Sequence, residues 1–334
     1  MRNVWLASIA LALSAITASV PALTENITAP ADIHLRMAHS LHSKSHYGTA
    51  ANAFAETLKT CSKGKYRVIT FPNNQLGSER NVIEGLQAGT IDLAIVSTST
   101  IMDIIPEVGM FDIPFLMHDL THARNVLDGP VGRNILAKFP SKGLVALAWG
   151  EQGFRHLTNN VKPVLTPEDA KGLRIRTPKN SIHIDGFRYI GIDPVPMTLT
   201  EAFDAIKKGE IDGQENSLAV ILLTQLSQTQ KYLSLSGHVY APALILASEK
   251  LYKKLPKIDR TFFDKAGKAA STKMREFVDN VEKNGVEKLR ECGIQVAEVD
   301  RADFATAMAP VYSEYYKKFD RKIIDAIPFQ RNFE

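Results

Sequence analysis

Residues 85–93 read Gly-Leu-Gln-Ala-Gly-Thr-Ile-Asp-Leu, and residues 205–213, 120 positions later, read Ala-Ile-Lys-Lys-Gly-Glu-Ile-Asp-Gly. Each copy is typical of a helix that ends at a glycine, Gly89 or Gly209, and is followed at once by a strand that opens with Ile-Asp. Two copies separated by about one domain length predict two similar α/β lobes. Coincidence in a short pattern is the alternative.

The residues around the first copy alternate between strand and helix patterns. Ile33–Met37 is predicted to be a strand and Tyr47–Leu58 a helix, because of their apolar spacing. Tyr66–Phe71 is rich in β-forming residues, a helix is predicted from about Ser78 to Ala88, and Ile91–Val96 is typical of a buried strand. Strands that alternate with helices predict an α/β architecture with parallel strand pairing.

The composition excludes several classes of protein. The chain has 334 residues, 45% hydrophobic and 23% charged, which is typical of a globular protein with about two domains of roughly 150 residues. The 40 Lys and Arg residues against 36 Asp and Glu give a net charge of +4. No basic cluster is interleaved with aromatic residues, so nucleic-acid binding is not predicted.

The first 22 residues have the pattern of a cleaved signal peptide. Arg2 precedes an apolar run from Val4 to Val20, and Val20 and Ala22 stand where small residues precede cleavage. A membrane anchor is the alternative, although it needs a more hydrophobic segment. We therefore expect an exported protein, most simply in a bacterial periplasm.

The usual catalytic and metal-binding patterns are missing. There is no G-x-S-x-G, H-E-x-x-H, P-loop or dinucleotide-binding pattern. His39, His42 and His46 would share one face of a helix, but Ser-rich spacers indicate a loop, so no metal or cofactor is predicted. Cys61 and Cys292 could pair in an oxidising compartment, or remain thiols.

The strand Leu173–Thr177 gives the sharpest indication of a ligand. Gly172 precedes it and Pro178 ends it, and alternation puts Arg174 and Arg176 on the same face. Ligands of open α/β sheets bind beyond the carboxyl ends of strands, which favours Arg176. A guanidinium there matches a carboxylate through two parallel hydrogen bonds. A surface ion pair is the alternative.

The same rule selects further candidates. Ser97 and Thr98 are placed at the end of the strand of the first copy, and residues 214–216, Gln-Glu-Asn, at the corresponding end of the second. Trp149, Glu151 and Arg155 stand at odd positions of an extended segment and are predicted to share one face. That face could line a pocket or cross between the lobes.

With these residues in view, the sequence resembles a family. It is similar to extracytoplasmic solute-binding proteins of TRAP (tripartite ATP-independent periplasmic) transporters of the DctP type, from about Ile33 to beyond Tyr315. The motifs that carry the resemblance are Pro72–Gly77 with Glu79-Arg80, Ile113–Leu116, Gly153–Arg155, Gly172–Pro178 and Asp212–Asn216.

The resemblance implies a periplasmic binding protein-like α/β fold of two lobes with a hinge and a long helix that spans both. We expect residues 1–22 to be the signal peptide, residues 23–152 and 242–281 to form lobe I, and residues 153–241 and 282–334 to form lobe II. It also implies capture of a small organic acid and its delivery to TRAP membrane permease subunits. A monomer is expected, and an enzyme is not. A secreted enzyme acting on a small organic acid is the alternative.

The resemblance also implies roles for single residues. Arg176 would pair with the solute carboxylate, Arg155 would be a secondary contact, and Asn216 would hydrogen-bond to the same end of the solute. Ser217 departs from the usual proline after the Gln-Glu-Asn motif. Dicarboxylates, sugar acids, 2-oxo acids, aromatic acids and sulfonates all stay open as solutes. The remaining expected pocket-lining residues are Trp149, Glu151, Ser97, Thr98 and Tyr240.

Overall fold

A computed structural model describes residues 32–325 and Ile327. The predicted signal peptide, residues 1–22, lies outside the described residues. Among the helices of the described part, none is long and apolar enough to cross a membrane. Cys61 is half-buried, Cys292 is exposed, and both are free thiols, so the disulfide that the sequence left open is not formed.

The described strands form one nine-stranded sheet in the order β2-β1-β3-β8-β4-β7-β5-β6, and β9 pairs with β8. Pairing is parallel at both ends: β1 pairs with β2 and β3, and β5 pairs with β6 and β7. The predicted α/β class is confirmed. The strands are β1 (Ile33–His39), β2 (Tyr66–Phe71), β3 (Leu93–Ser97), β4 (Leu144–Asn159), β5 (Arg174–Thr177), β6 (Asp193–Pro196), β7 (Gly213–Ser217), β8 (Tyr232–Ser248) and β9 (Gln295–Ala297).

Helices cover the sheet and connect its parallel strands. Short 3₁₀ turns span Thr98–Thr100, Pro106–Asp112, Phe139–Lys142, Glu168–Ala170 and Ala309–Val311. The α-helices of the described residues are α1 (His46–Cys61), α2 (Glu79–Ala88), α3 (Leu120–Asp128), α4 (Pro130–Leu136), α5 (Ser181–Tyr189), α6 (Leu199–Lys208), α7 (Leu218–Leu223), α8 (Leu226–Thr229), α9 (Glu249–Lys254), α10 (Lys257–Glu291), α11 (Arg301–Met308), α12 (Tyr312–Lys318) and α13 (Arg321–Asp325).

The sequence repeat corresponds to a structural repeat. Both α2 and α6 begin with a capping box, at Ser78 and Thr198, and end at a glycine in the left-handed conformation, Gly89 (φ 75°) and Gly209 (φ 70°). The strands β3 and β7 follow directly. The helix caps therefore repeat at the same 120-residue offset as the sequence pattern, which confirms the two related α/β units. We call residues 33–112, with β1, β2 and β3, the first unit, and residues 174–229, with β5, β6 and β7, the second unit.

Two long strands join the two ends of the sheet. β4 and β8 pair antiparallel along their whole length, from Leu144 opposite Ser248 to Asn159 opposite Tyr232. The sequence predicted only parallel pairs and missed this crossing. Residues 236–248 of β8 are all buried, so this strand has no alternation of apolar and polar residues by which it could be recognised.

The 35-residue helix α10 runs across the back of both units. It packs on α1 of the first unit, on β4, and on α7 of the second unit. Phe263, Met274, Leu289 and other buried apolar residues of α10 belong to a hydrophobic core that also contains residues of α1 and α7. The predicted long helix that spans both lobes is confirmed.

Candidate functional site

A cavity of about 990 Å³ lies where the polar ends of the two units face each other. Loop residues 73–80, with the start of α2 and the turn after β3, line one side. The ends of β5 and β7, the start of α6 and the turn between α7 and α8 line the other. The expectation that ligands of α/β sheets bind beyond the carboxyl ends of strands therefore located the cavity correctly.

Arg176, at the end of β5, is the buried cation of this cavity. Its side chain is only 5% exposed, and its Nε donates to the Met197 carbonyl at 2.8 Å. Among the described residues, no acceptor lies at hydrogen-bond distance from its two terminal nitrogens. Burial lowers the pKa of Arg176 to about 10, so it stays protonated at neutral pH. A solute carboxylate can supply the missing counter-ion.

Arg155, on β4, also lines the cavity, but it already has a carboxylate partner. Its Nε and Nη2 donate to Glu215 at 2.5 and 2.8 Å, and Nη1 donates to Asn216 Oδ1 at 3.2 Å. The Asn216 oxygen also accepts from the Ser217 backbone. Its Nδ2 has no acceptor within the described part of the chain, so this donor is available to a solute. The charge of Arg155 is therefore already paired within the cavity wall, whereas the charge of Arg176 is available to pair with a ligand.

Glu79 faces Arg176 from the opposite side of the cavity. It is the first residue of α2, and its carboxylate accepts from Ser40 Oγ (2.6 Å), the Ser97 backbone (3.0 Å) and Thr100 Oγ1 (2.8 Å). Burial raises the pKa of Glu79, while these hydrogen bonds and Arg176 act in the opposite direction. A carboxylate held in this way is a strong acceptor for solute hydroxyls. The sequence motif contained Glu79, but no role was predicted for it.

Four of the eight predicted site residues line the cavity: Arg176, Arg155, Asn216 and Ser97. Ser97 accepts from Gln152 Nε2 at 3.1 Å. Thr98, directly after it, is fully buried, does not line the cavity and donates to the Pro242 carbonyl at 3.2 Å.

The other three predicted residues lie in the interior, away from the cavity. Trp149 packs edge-on against Phe111, with 5.4 Å between ring centroids. Glu151 is fully buried, pairs with Arg124 and accepts from Tyr240 Oη at 2.7 Å. Within the described residues these groups belong to a structural network, so the expectation that they line the pocket does not agree with the structure.

A β-bulge explains why the expected shared face fails. The β4–β8 register shifts between Glu151 and Gly153, where Gly153 has φ 96°. The extra residue breaks the period-two alternation. As a result Gln152 and Arg155 line the cavity, while Glu151 contacts the interior. Gly153 belongs to the Gly153–Arg155 motif, but a single glycine in a strand does not show whether the inward and outward side chains exchange faces after it.

The histidines of the N-terminal region do not form a metal site. His39 ends β1, His42 lies in the following turn and His46 begins α1, so they do not share a helical face. Among the described residues, no group of His, Cys, Asp or Glu could hold a metal ion. Burial lowers the pKa of His39 to about 4 and that of His46 to about 3.

The cavity also has an apolar region, formed by the residues around α6, α7 and the turn after β1. Because the polar groups around Arg176 and Glu79 line the same cavity, an aliphatic part of a solute can be buried while its acid and hydroxyl groups are hydrogen-bonded. The apolar lining residues are Leu41, Met197, Leu199, Phe203, Val220 and Leu222.

Known proteins resemble this chain along most of its length. The model of the DctP family, bacterial extracellular solute-binding protein family 7, matches residues 37–318. A solute-binding protein of Verminephrobacter eiseniae is 41% identical over 301 residues, which cover 90% of each protein.

Solved structures agree with this match. A TRAP periplasmic solute binding protein from Bordetella bronchispeptica, with density assigned to pantoate, is 57% identical, covers 90% of this chain and 99% of its own, and has a TM-score of 0.87. One from Polaromonas sp JS666, bound to D-erythronate, is 42% identical, covers 88% and 98% of the two chains, and also has a TM-score of 0.87.

The chain therefore belongs to the DctP family of periplasmic solute-binding proteins. It is the solute-binding component of a TRAP transport system and has the two-lobed α/β fold of its solved relatives. Members of this family bind and deliver solutes in transport. The predicted family, fold class and general function are confirmed.

Proposed function

We propose that this protein captures a small hydroxylated monocarboxylate and delivers it to the membrane permease of a TRAP transporter. Arg176 carries the proposal, because a buried guanidinium without a carboxylate partner in the described part of the chain is matched by one solute carboxylate. Asn216 Nδ2 would donate to the same end of the solute. Arg155 would contact the solute only through Nη1, which also donates to Asn216 Oδ1.

A single buried charge favours one carboxylate over two. The second buried arginine of the cavity, Arg155, is already neutralised by Glu215. At the rim, Arg80 pairs with Asp103, and Lys179 is exposed. A second solute carboxylate in the interior would lie near Glu79 without a buried cation of its own, which is unfavourable. Dicarboxylates are therefore expected to bind weakly.

The opposite wall favours hydroxyl groups and an aliphatic body. Glu79 offers an acceptor aimed at the cavity, and the apolar region offers a surface for branched carbon atoms. Pantoate, to which density in the Bordetella relative was assigned, has a carboxylate, two hydroxyls and two methyl groups. D-Erythronate, bound by the Polaromonas relative, has the carboxylate and more hydroxyls. Pantoate combines all three features of this cavity.

Binding is proposed to close two lobes over the solute. Lobe I would contain residues 23–152 and 242–281, lobe II residues 153–241 and 282–334, and the hinge the crossing of β4 and β8. Asn74 Nδ2 donates to Thr200 Oγ1 at 3.3 Å across the cavity mouth, which supports closure here. Solute that touches both walls prefers the closed form. A shift from 1% to 99% closed needs about 5.5 kcal/mol of such preference.

We further propose cleavage of residues 1–22 during export, a monomeric mature protein and no turnover of the solute. Membership of a family of periplasmic solute-binding proteins supports both the cleavage and the lack of turnover. The competing function, a secreted enzyme for a small organic acid, predicts that solute is consumed. Incubation with pantoate followed by proton NMR distinguishes them, because a binding protein returns the acid unchanged.

A thermal-shift panel tests the proposed solute class. Pantoate and D-erythronate are compared with 3,3-dimethylbutanoate, which lacks hydroxyls, and with succinate, which has two carboxylates. A ligand at 100 times its Kd adds about 2.7 kcal/mol of stability, which corresponds to about 4 °C in Tm for a chain of this size. Stabilisation by succinate but by neither hydroxy acid would refute the proposal. In Glu79→Gln, the preference for pantoate over 3,3-dimethylbutanoate should decrease.

A further inference from the structure

A group of buried charges extends behind the cavity wall from Arg155, which is its one member that lines the cavity. His183 Nε2, on α5, lies 3.2 Å from Asp112 Oδ1, and His183 Nδ1 lies 3.3 Å from Glu215 Oε1. The first contact is a hydrogen bond, and the second is an ion pair without hydrogen-bond alignment. All three side chains have no exposed surface. We refer to Asp112, His183, Glu215 and Arg155 as the buried charge cluster.

Both carboxylates of the cluster are held firmly. Asp112 ends a 3₁₀ turn of the first unit and also accepts from Asn180 Nδ2 at 2.7 Å and from Ser99 Oγ at 3.1 Å. Glu215, on β7 of the second unit, accepts from Arg155. The imidazole of His183 therefore connects a turn of one unit with a central strand of the other.

Charge balance favours a protonated His183. Two buried carboxylates face one buried arginine, and an unpaired buried carboxylate is strongly destabilising. An imidazolium brings the cluster to two positive and two negative charges. Burial alone would lower the pKa of His183, but Glu215 and Asp112 outweigh burial and raise it above 6.5.

The other groups near His183 do not supply this charge. His238, on β8, lies 3.2 Å from Glu215, and burial lowers its pKa below 6.5, so it is neutral at pH 7. On the outer side of α5, Asp185 pairs with Lys318 of α12. The packing contacts of α5 with α11 are apolar, through Phe187 and Met308. The charge of Arg176 also acts on Glu215, but its hydrogen bond goes to the Met197 carbonyl. Within the described residues, His183 is therefore the group that completes the cluster by direct contact with both carboxylates.

We propose that His183 is a positioning residue for solute binding. As an imidazolium, it holds Glu215 in place, and Glu215 in turn orients Arg155, which lines the cavity. The contact of His183 with Asp112 fixes the imidazolium to the 3₁₀ turn that Asp112 ends. This inference rests on the proposed function. Loss of the proton leaves a net negative charge behind the wall that receives the solute carboxylate. Affinity for an acid should therefore fall as the pH rises through the pKa of His183.

Calorimetry with pantoate between pH 5.5 and 9 tests this role. In His183→Gln we expect weaker binding at pH 6, by a factor of about 5 to 150 as is usual for coupled sites, and affinity that no longer varies with pH. Asp112→Asn combined with His183→Gln restores the charge balance and should recover much of the affinity. His34→Gln is the matched control, since it removes an exposed imidazole that pairs with Asp32, and it should leave affinity and pH profile unchanged.

The outcomes separate this inference from the proposed function. If Arg176→Ala loses pantoate but His183→Gln keeps the affinity and pH profile of the wild type, the positioning role is refuted and the function stands. Weak binding in His183→Gln that keeps the wild-type pH profile and is not rescued by Asp112→Asn shows a merely structural role. No binding of any acid by the wild type refutes both.

A measurement on the unmodified chain covers the case in which His183→Gln does not fold. NMR titration of the histidine rings should show a buried imidazole that is still protonated at pH 6.5. A pKa of His183 below 6.5 overturns the inference without any variant.

Discussion

The guanidinium of Arg176 provides the most direct test of how this protein recognises its solute. In Arg176→Ala, the solute carboxylate would be buried without a counter-ion. Removal of one partner from a buried ion pair costs about 3–5 kcal/mol, which corresponds to a roughly 150- to 5,000-fold rise in Kd. The upper part of this range is expected, because the described structure offers no second buried cation that is free to replace it.

Arg176→Lys tests geometry separately from charge. The lysine keeps a positive charge, but its ammonium group cannot form two parallel hydrogen bonds with a carboxylate. The Nε contact to the Met197 carbonyl, which orients the guanidinium, is lost as well. We therefore expect Arg176→Lys to recover little of the affinity lost in Arg176→Ala.

The same strand contains the matched control. Arg174 lies two residues earlier on β5, is largely exposed, and pairs with Asp212 at 2.7 Å rather than facing the cavity. Arg174→Ala should bind pantoate with the wild-type Kd. Isothermal titration calorimetry of the three variants, with folding checked by circular dichroism, is the assay. A Kd in Arg176→Ala within about threefold of the wild type would refute the assignment of the carboxylate site.

Three further perturbations test other parts of the molecule. The pKa of His39 is about 4 and that of His46 about 3 in the folded state, against 6.5 in the unfolded chain. Because the unfolded chain binds protons first as the pH falls, the free energy of unfolding should decrease below about pH 6.5. Urea midpoints that do not change between pH 4 and 7 would contradict this. Gly153→Ala forces a Cβ to 2.5 Å from a carboxylate oxygen of α10 at φ 96°, so we expect a loss of at least about 1 kcal/mol in urea unfolding, and unchanged stability would contradict the bulge. Thr200→Ala removes one exposed hydrogen bond across the cavity mouth. It should raise the Kd for pantoate by up to about tenfold without changing the Tm of the free protein. An unchanged Kd would show that this contact does not favour closure.

Local signals in the sequence were sufficient for the two α/β units and for placing Arg176, the proposed partner of the solute carboxylate, on the cavity wall. The glycine C-caps at Gly89 and Gly209 are local features, because a left-handed residue after a helix depends on few neighbours. The position of Arg176 followed from the end of a short strand. Neither inference needed knowledge of distant contacts.

The rest of the site depended on contacts that no local pattern contains. Arg155 and Glu151 are both at odd positions, yet the bulge at Gly153 places only Arg155 on the cavity wall. The role of Glu79 depends on Ser40 and Thr100, which come from other segments of the chain. Long-range pairing of this kind is set by the fold, so the sequence pattern alone could not distinguish a wall residue from an interior one.

The two buried arginines of the cavity show how one wall can recognise charge selectively. Arg155 and Arg176 have similar exposure, 3% and 5%, but only Arg155 has a carboxylate, Glu215, within hydrogen-bond distance. An acid therefore gains most from Arg176, where the protein lacks a counter-ion, and little from Arg155, where the charge is already balanced. The proposed specificity for a single carboxylate would thus depend on Glu215 as much as on Arg176. Replacement of Glu215 by glutamine would free a second buried guanidinium and should shift the preference of the cavity toward dicarboxylates such as succinate.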